Sequence, residues 1–280
     1  MDLMDSIFKS ALGIWNWCIQ FAIGWLRSNP ETLYDGQMWS VAKTLHSALL
    51  PVAYSLLVVW FLWGLVSSVS SLKELRNFEH VAGNLLRLAI AKTLVEASLD
   101  IALLIISAVQ SIVDALGGTA YGNPNIITAA DASSLTDVLN ITIWQDPGKW
   151  LLVFALCLLF LLASIGCGIA ILLIVISRFY RLFIYVIFAP IPISSFASPD
   201  PGINGIAKHY LKSLMGICFQ AAVIYLSVML YPVFLTLFSS GMFPISDTLI
   251  AVFCQTIFYE VLLLTLIKAS DQIIKELGFV

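Results

Sequence analysis

Charged residues are missing from this chain over long stretches: residues 44–72, 150–177, 182–199, 213–246 and 248–259 contain none. Several of these runs exceed the ~20 apolar residues that cross a bilayer core. The pattern predicts spanning helices at about 45–70, 84–116, 150–177, 213–238 and 248–267. Ahead of them, residues 4–26 set Ile7, Phe8, Leu12, Trp15, Ile19, Ile23 and Leu26 mostly three or four apart, between Asp5 and Lys9 at one end and Arg27 at the other. That spacing predicts an amphipathic helix. Its charge-free part, 10–26, can lie in the headgroup interface with Trp15, Trp17 and Trp25 at that depth, or just span; both readings stay open.

The second spanning stretch has a polar stripe. Lys92, Glu96, Asp100, Ser107, Gln110 and Asp114 fall on one side at ~100° per residue, while Leu94, Ile101, Leu104, Ile105 and Ile112 fill the others. A charge at membrane depth costs several kcal/mol unless paired or wet, so the stripe is expected to face protein or water. Two roles are open for it: lining a lumen or touching another subunit, or a Lys92 and Glu96 pair near the membrane surface with Asp100 one turn on. Residues 117–149, with Gly, Asn and Pro among three Asp and one Lys, read as a water-exposed loop.

The stretch "RFYRLFIYVIFAPIPISSF" sets Arg178 and Arg181 before an uncharged run of 18 residues and breaks that run at Pro190 and Pro192. If 182–199 enters the membrane, breaks at the prolines and returns on the same side, the positive-inside rule is well served. Lys73, Arg76, Arg87, Arg178, Arg181, Lys208, Lys212, Lys268 and Lys275 are then cytoplasmic, with Lys9, Arg27, Lys43 and Lys149 outside. This puts the N-terminus outside, the C-terminus inside, and makes Arg178, Arg181, Lys208 and Lys212 cytoplasmic anchors. A kinked span is the alternative. Proline deletes backbone donors, so in either case the break has to be buried in protein or line a wet cavity. In the last span Glu260 is an isolated acid, with Lys92 or Arg87 as candidate partners.

Composition agrees with lipid as the solvent: 60% of the 280 residues are hydrophobic and 11% charged, against about 45–50% and about 25% in soluble domains. The fold class is all-α: a polytopic integral membrane helical bundle of about five transmembrane helices, an N-terminal amphipathic helix and a Pro-broken, re-entrant element. Residues 1–43 form the interfacial segment and 44–280 a single transmembrane domain. A net charge of −3 with scattered cations speaks against direct, sequence-specific nucleic-acid binding. The acidic start, "MDLMDSIFKS", is unlike a signal peptide, so the chain is expected to keep its N-terminus and insert through its own helices. The five cysteines all lie in apolar stretches and read as packing residues. "ASIGCGIA", residues 163–170, sets Ala163, Gly166, Cys167 and Ala170 at the spacing that lets helix backbones approach. No Walker loop, GxSxG, HExxH or CxxC occurs, which predicts a protein that is not an enzyme, with no cofactor and no metal, and that cannot power transport itself.

The stretches "RFYRLFIYVIFAPIPISSF", "HYLKSLMGICFQAAVIYL" and "LIKASDQIIKELGF" resemble the C-terminal half of the TrbL-like family of conjugal transfer proteins, of the type carried on Gram-positive conjugative elements. Over 148–280 the resemblance lies in sequence; over 1–147 it is one of layout. It implies a channel subunit of a type IV secretion system in the bacterial inner membrane. Such a subunit would act as a homo-oligomer beside other membrane subunits and ATPases, surrounded by lipid. An ion-coupled transporter using Glu96, Asp100 and Glu260, and a purely structural scaffold, are the alternatives.

Overall fold

Long uninterrupted apolar runs, in a chain whose punctuation is confined to a few Pro, Gly and Asn clusters, give long helices. The computed structural model describes residues 2–31, 36–69, 78–118, 147–239 and 249–278. They form α1 (Asp2–Arg27), α2 (Gln37–Val69), α3 (Phe78–Glu96), α4 (Ser98–Gly117), α5 (Pro147–Phe188), the short α6 (Pro190–Ser194) with a 3-10 turn (Ser195–Ala197), α7 (Pro201–Ser239) and α8 (Leu249–Glu276). Four stretches, Gln37–Val66, Ser98–Gly117, Phe154–Ala197 and Pro201–Val233, are long and apolar enough to cross a membrane. The chain is an all-α polytopic membrane bundle, as its pattern predicts. The expected span at 84–116 is divided at Ala97, although Ala97 N–H still donates to Thr93 O and Ile101 N–H to Ala97 O, both at 2.9 Å. Most of the loop expected at 117–149, together with Lys73 and Arg76, lies outside the described residues.

Two compact units share these helices. The first comprises Met1–Arg27, Ile112–Ser177 and Ala221–Asp271. Here α1 buries the stripe Ala11, Trp15, Cys18, Ala22 and Leu26, and Gly168 of α5 lies so close to it that a Cβ there would come 3.0 Å from Cys18 Sγ. The close approach thus uses Gly168, whereas Gly166, singled out by its spacing, has nothing near it. Trp15 belongs to this core, fully buried, and not to a headgroup belt; the aromatic ladder is Trp17 and Phe21, both exposed, and the half-buried Trp25, with successive ring centroids 5.4 and 5.7 Å apart.

The second unit comprises Ser28–Ser111, Arg178–Gln220 and Gln272–Val280, and it contains the broken run. The end of α5 and the start of α7 form an antiparallel hairpin. Arg178 donates from Nε to Ile217 O at 3.1 Å and from Nη2 to Cys218 O at 3.2 Å, and further along Tyr185 stacks on Tyr210 at 5.9 Å. Alongside α2 the run is in parallel register: Phe183 meets Trp39, then Ala189, Ile193 and Ala197 share a core with Ala53 and Leu57, and Pro199 abuts Gly64. Ala91 and Val95 of α3 close that core.

This register corrects the re-entrant reading at two points. Helix α5 runs unbroken through Arg178 and Arg181, so nothing reverses there. The prolines also do not turn the chain back. Ala189 keeps helical angles, φ −49° and ψ −42°, and Pro190 starts a new helix at the position where its missing N–H costs least. The reversal comes at 198–201, where Asp200 Oδ1 accepts from Gly202 N–H at 3.0 Å and caps α7, with Pro201 next to it. Helices that pack side by side share depth, so Arg178, Arg181 and Lys212 stand near the Gln37 end of α2, with Lys43, while Lys208, next to Ala207, stands closer to the level of Ser195 and Ala53.

The demand that the break be buried is met inside the protein. Ala189 N–H bends to Val186 O at 3.3 Å, and the hydroxyls of Ser194 and Ser195 donate to Ile191 O at 2.7 Å and Pro192 O at 2.8 Å. Ser195 Oγ also accepts from Ala207 N–H at 3.1 Å, tying the break to α7. Both serines are fully enclosed. Replacing the two together by Ala is expected to destabilise the protein by about 1–3 kcal/mol for each orphaned polar group. The check is the thermal midpoint of the detergent-solubilised chain; an unchanged midpoint would show that these carbonyls and the Ala207 N–H are served by other partners.

Candidate functional site

The site is the polar stripe of α3 and α4 and the face of α2 against it. Spacing along α2 puts His46, Leu50, Ala53, Tyr54 and Leu57 on one side, and this side packs on α3. Two polar groups in that apolar row meet partners across the interface. His46, 4% exposed, lies 2.9 Å through Nε2 from Ser98 Oγ, and is near enough to Asp100 to interact with it electrostatically. Tyr54 donates its hydroxyl to Glu96 at 3.3 Å, and Glu96 faces Lys92 at 3.8 Å.

Of the six stripe residues, Lys92, Glu96, Asp100, Ser107 and Asp114 are exposed and Gln110 is half-buried. Two of them pair, and the break at Ala97 separates those two from the rest. The depth of the pair is informative. Tyr54, its neighbour, is at the middle of α2, and Lys92 lies against it with Leu57 and Leu88. The Lys92 and Glu96 side chains are nevertheless 64% and 49% exposed. The pair, in the last turns of α3, thus stands beside the middle of α2. Exposure to hydrocarbon would cost about 2.5–3.5 kcal/mol for each charge even on insertion scales.

Glu260 lies elsewhere, in the first unit, and is fully buried. Ser164 donates to its Oε1 at 2.6 Å, while Oε2 has no hydrogen-bond partner among the described residues. Its partner is therefore a hydroxyl from α5 and not Lys92 or Arg87. Tyr231 and Cys167 are within electrostatic reach of the same carboxyl. Among the four cations proposed as anchors, Arg181, Lys208 and Lys212 are exposed, but Arg178 is 5% exposed and holds α5 to α7. Among the described residues no group of His, Cys, Asp and Glu is arranged to hold a metal ion.

Sequence reading passed over His46, Tyr54, Ser98 and Ser164. His46 was legible in part: it lies seven residues before Ala53 and eleven before Leu57, on the face that turned out to be buried. The others needed the knowledge of which helices pair.

A family model described as TrbL/VirB6 plasmid conjugal transfer like protein matches residues 24–190. The match covers more than half of the chain, including α2, α3, α4 and α5, and reaches the first proline of the break. It thus takes in the N-terminal part in which the sequence showed only a common layout. No curated protein and no solved structure matches the chain.

Proposed function

We propose that this chain, which belongs to the TrbL/VirB6 plasmid conjugal transfer-like family, is a non-catalytic translocation subunit that works as a homo-oligomer. Family membership makes it a multi-pass membrane component of a bacterial conjugal transfer or type IV secretion complex. The finer reading is that its polar stripe faces a neighbouring copy or a shared aqueous conduit, with energy supplied by partner ATPases. One observation carries it: Lys92 and Glu96 are at the middle of α2 in depth, yet about half or more of each side chain is uncovered in the single chain. Lipid cannot solvate that pair cheaply, so a second protein surface or water must.

The test is native mass spectrometry of the protein extracted in nanodiscs and purified without partners. A discrete homo-oligomer is expected, and its interface should include the stripe, read by disulfide cross-linking between single cysteines placed at Ser107. A monomer at all concentrations, with no cross-link, would overturn the homo-oligomeric reading.

A further inference from the structure

Glu260 is a buried acid with no cation beside it. It stands on α8 at 0% exposure, and among the described residues its only hydrogen bond is the one that Oε1 accepts from Ser164 of α5 at 2.6 Å. The buried face of α8 continues with Leu263 and Ile267, three and seven positions on, so the carboxyl occupies a core position in an otherwise apolar row. The titratable groups that face it from neighbouring helices are Cys167 on α5 and Tyr231 on α7. Cys18 of α1 comes close to α5 one turn further on, at Gly168. All three become negative when they lose a proton, so none can offset a carboxylate. The described cations of the first unit stand elsewhere: Lys9 and Lys268 are exposed, and Arg27 lies against Gly117.

A second buried oxygen is also left over. The Tyr231 hydroxyl is fully enclosed and has no hydrogen-bond partner among the described residues, so the one further donor within electrostatic reach of Glu260 gives it nothing. These facts bear differently on the two forms of the carboxyl. Ionised, it puts a full charge where a single neutral hydroxyl has to replace a whole hydration shell, and that loss far exceeds what one hydrogen bond returns. Protonated, it is a small polar group with a donor already on Oε1 and one O–H left to serve. The enclosure selects the neutral form.

We propose that Glu260 is a proton-binding site of the first unit: a carboxylic acid at neutral pH, whose bound proton lets α8 pack on α5 and α7. The site is separate from the polar stripe and does not depend on its role. Its sign of pH dependence follows from linkage. In the unfolded chain a glutamate ionises at about pH 4.3, so at neutral pH the folded chain holds one proton more than the unfolded one. The stability this proton supports is complete below that value and declines as pH rises above it.

The experiment is infrared spectroscopy of the full chain in nanodiscs, wild type against Glu260→Gln, with thermal midpoints over about pH 5–8 as a second reading. At neutral pH the difference spectrum is expected to hold the C=O stretch of a carboxylic acid, lost in Glu260→Gln, and no carboxylate bands. Ser164→Ala keeps the acid and removes its donor, so it should move that band to higher frequency. Relative to Glu260→Gln, wild type should lose up to about tenfold in its folding constant for each pH unit, the linkage of one proton. Groups that titrate in both chains cancel in this comparison. Carboxylate bands at neutral pH, an acid band that Ser164→Ala leaves in place, or a wild-type-to-variant ratio that stays level with pH would each overturn the site. If Glu260→Gln does not fold, the acid band of wild type and its shift in Ser164→Ala decide.

Discussion

Alanine at both Glu96 and Asp100 is expected to abolish transfer in a mating assay while the chain still inserts and folds. Both side chains are exposed in the single chain, and substitutions at such positions usually change stability by less than about 0.5 kcal/mol. What they remove is two negative charges of the row, beside Tyr54 and His46 of α2. Lys92 then loses its 3.8 Å partner and Tyr54 its acceptor. If a partner subunit or a water column meets this row, the pairing that fixes register or hydration is lost, and assembly or conduction fails. Membrane fractionation and the thermal midpoint report on the chain itself, and conjugation frequency on the machine. Normal transfer by the double variant would mean that the row is inert and that the scaffold reading is the better one.

The sequence carried this row because helical periodicity depends only on spacing: Lys92, Glu96 and Asp100 repeat every four residues in any helix. For the same reason it carried the spans and the position of the proline break. Depth is a different matter. It follows from which helix lies beside which, and charge counting does not give the register of Phe183 on Trp39 and Pro199 on Gly64. Arg178 shows the limit at one residue. By composition it was an arginine at the end of an apolar run, like Arg181, and only the neighbouring α7 distinguishes them, one guanidinium hydrogen-bonded to two carbonyls and the other exposed. Glu260 was visible as an isolated acid in an apolar span, but its partner Ser164 is 96 positions away and of a type common in any helix.

Gly64→Ala is expected to destabilise the second unit although alanine is the better helix former by about 1 kcal/mol. A Cβ at Gly64 runs into the ring of Pro199, with Ser198 Oγ only 3.1 Å away. Neither neighbour can yield easily. Pro199 is bonded into the backbone just where the chain reverses, and Ser198 is fully buried with its Oγ accepting from Asp200 N–H at 3.2 Å. Relief has to come from moving α2 away from the broken run, which loosens the core of Ala53, Leu57, Ala189 and Ile193. Overpacking of this kind costs about 1–3 kcal/mol, and it exceeds the helix-propensity gain only if the contact is as tight as the geometry says. The measurement is the thermal midpoint of Gly64→Ala, of Pro199→Ala and of the double variant. A fall in the first that is partly recovered in the double variant would place Pro199 against Gly64 and so fix the direction of the broken run along α2. A rise in the single variant, or no coupling between the two, would separate these residues and with them the register on which the grouping of Arg181, Lys212 and Lys43 at one end of α2 rests.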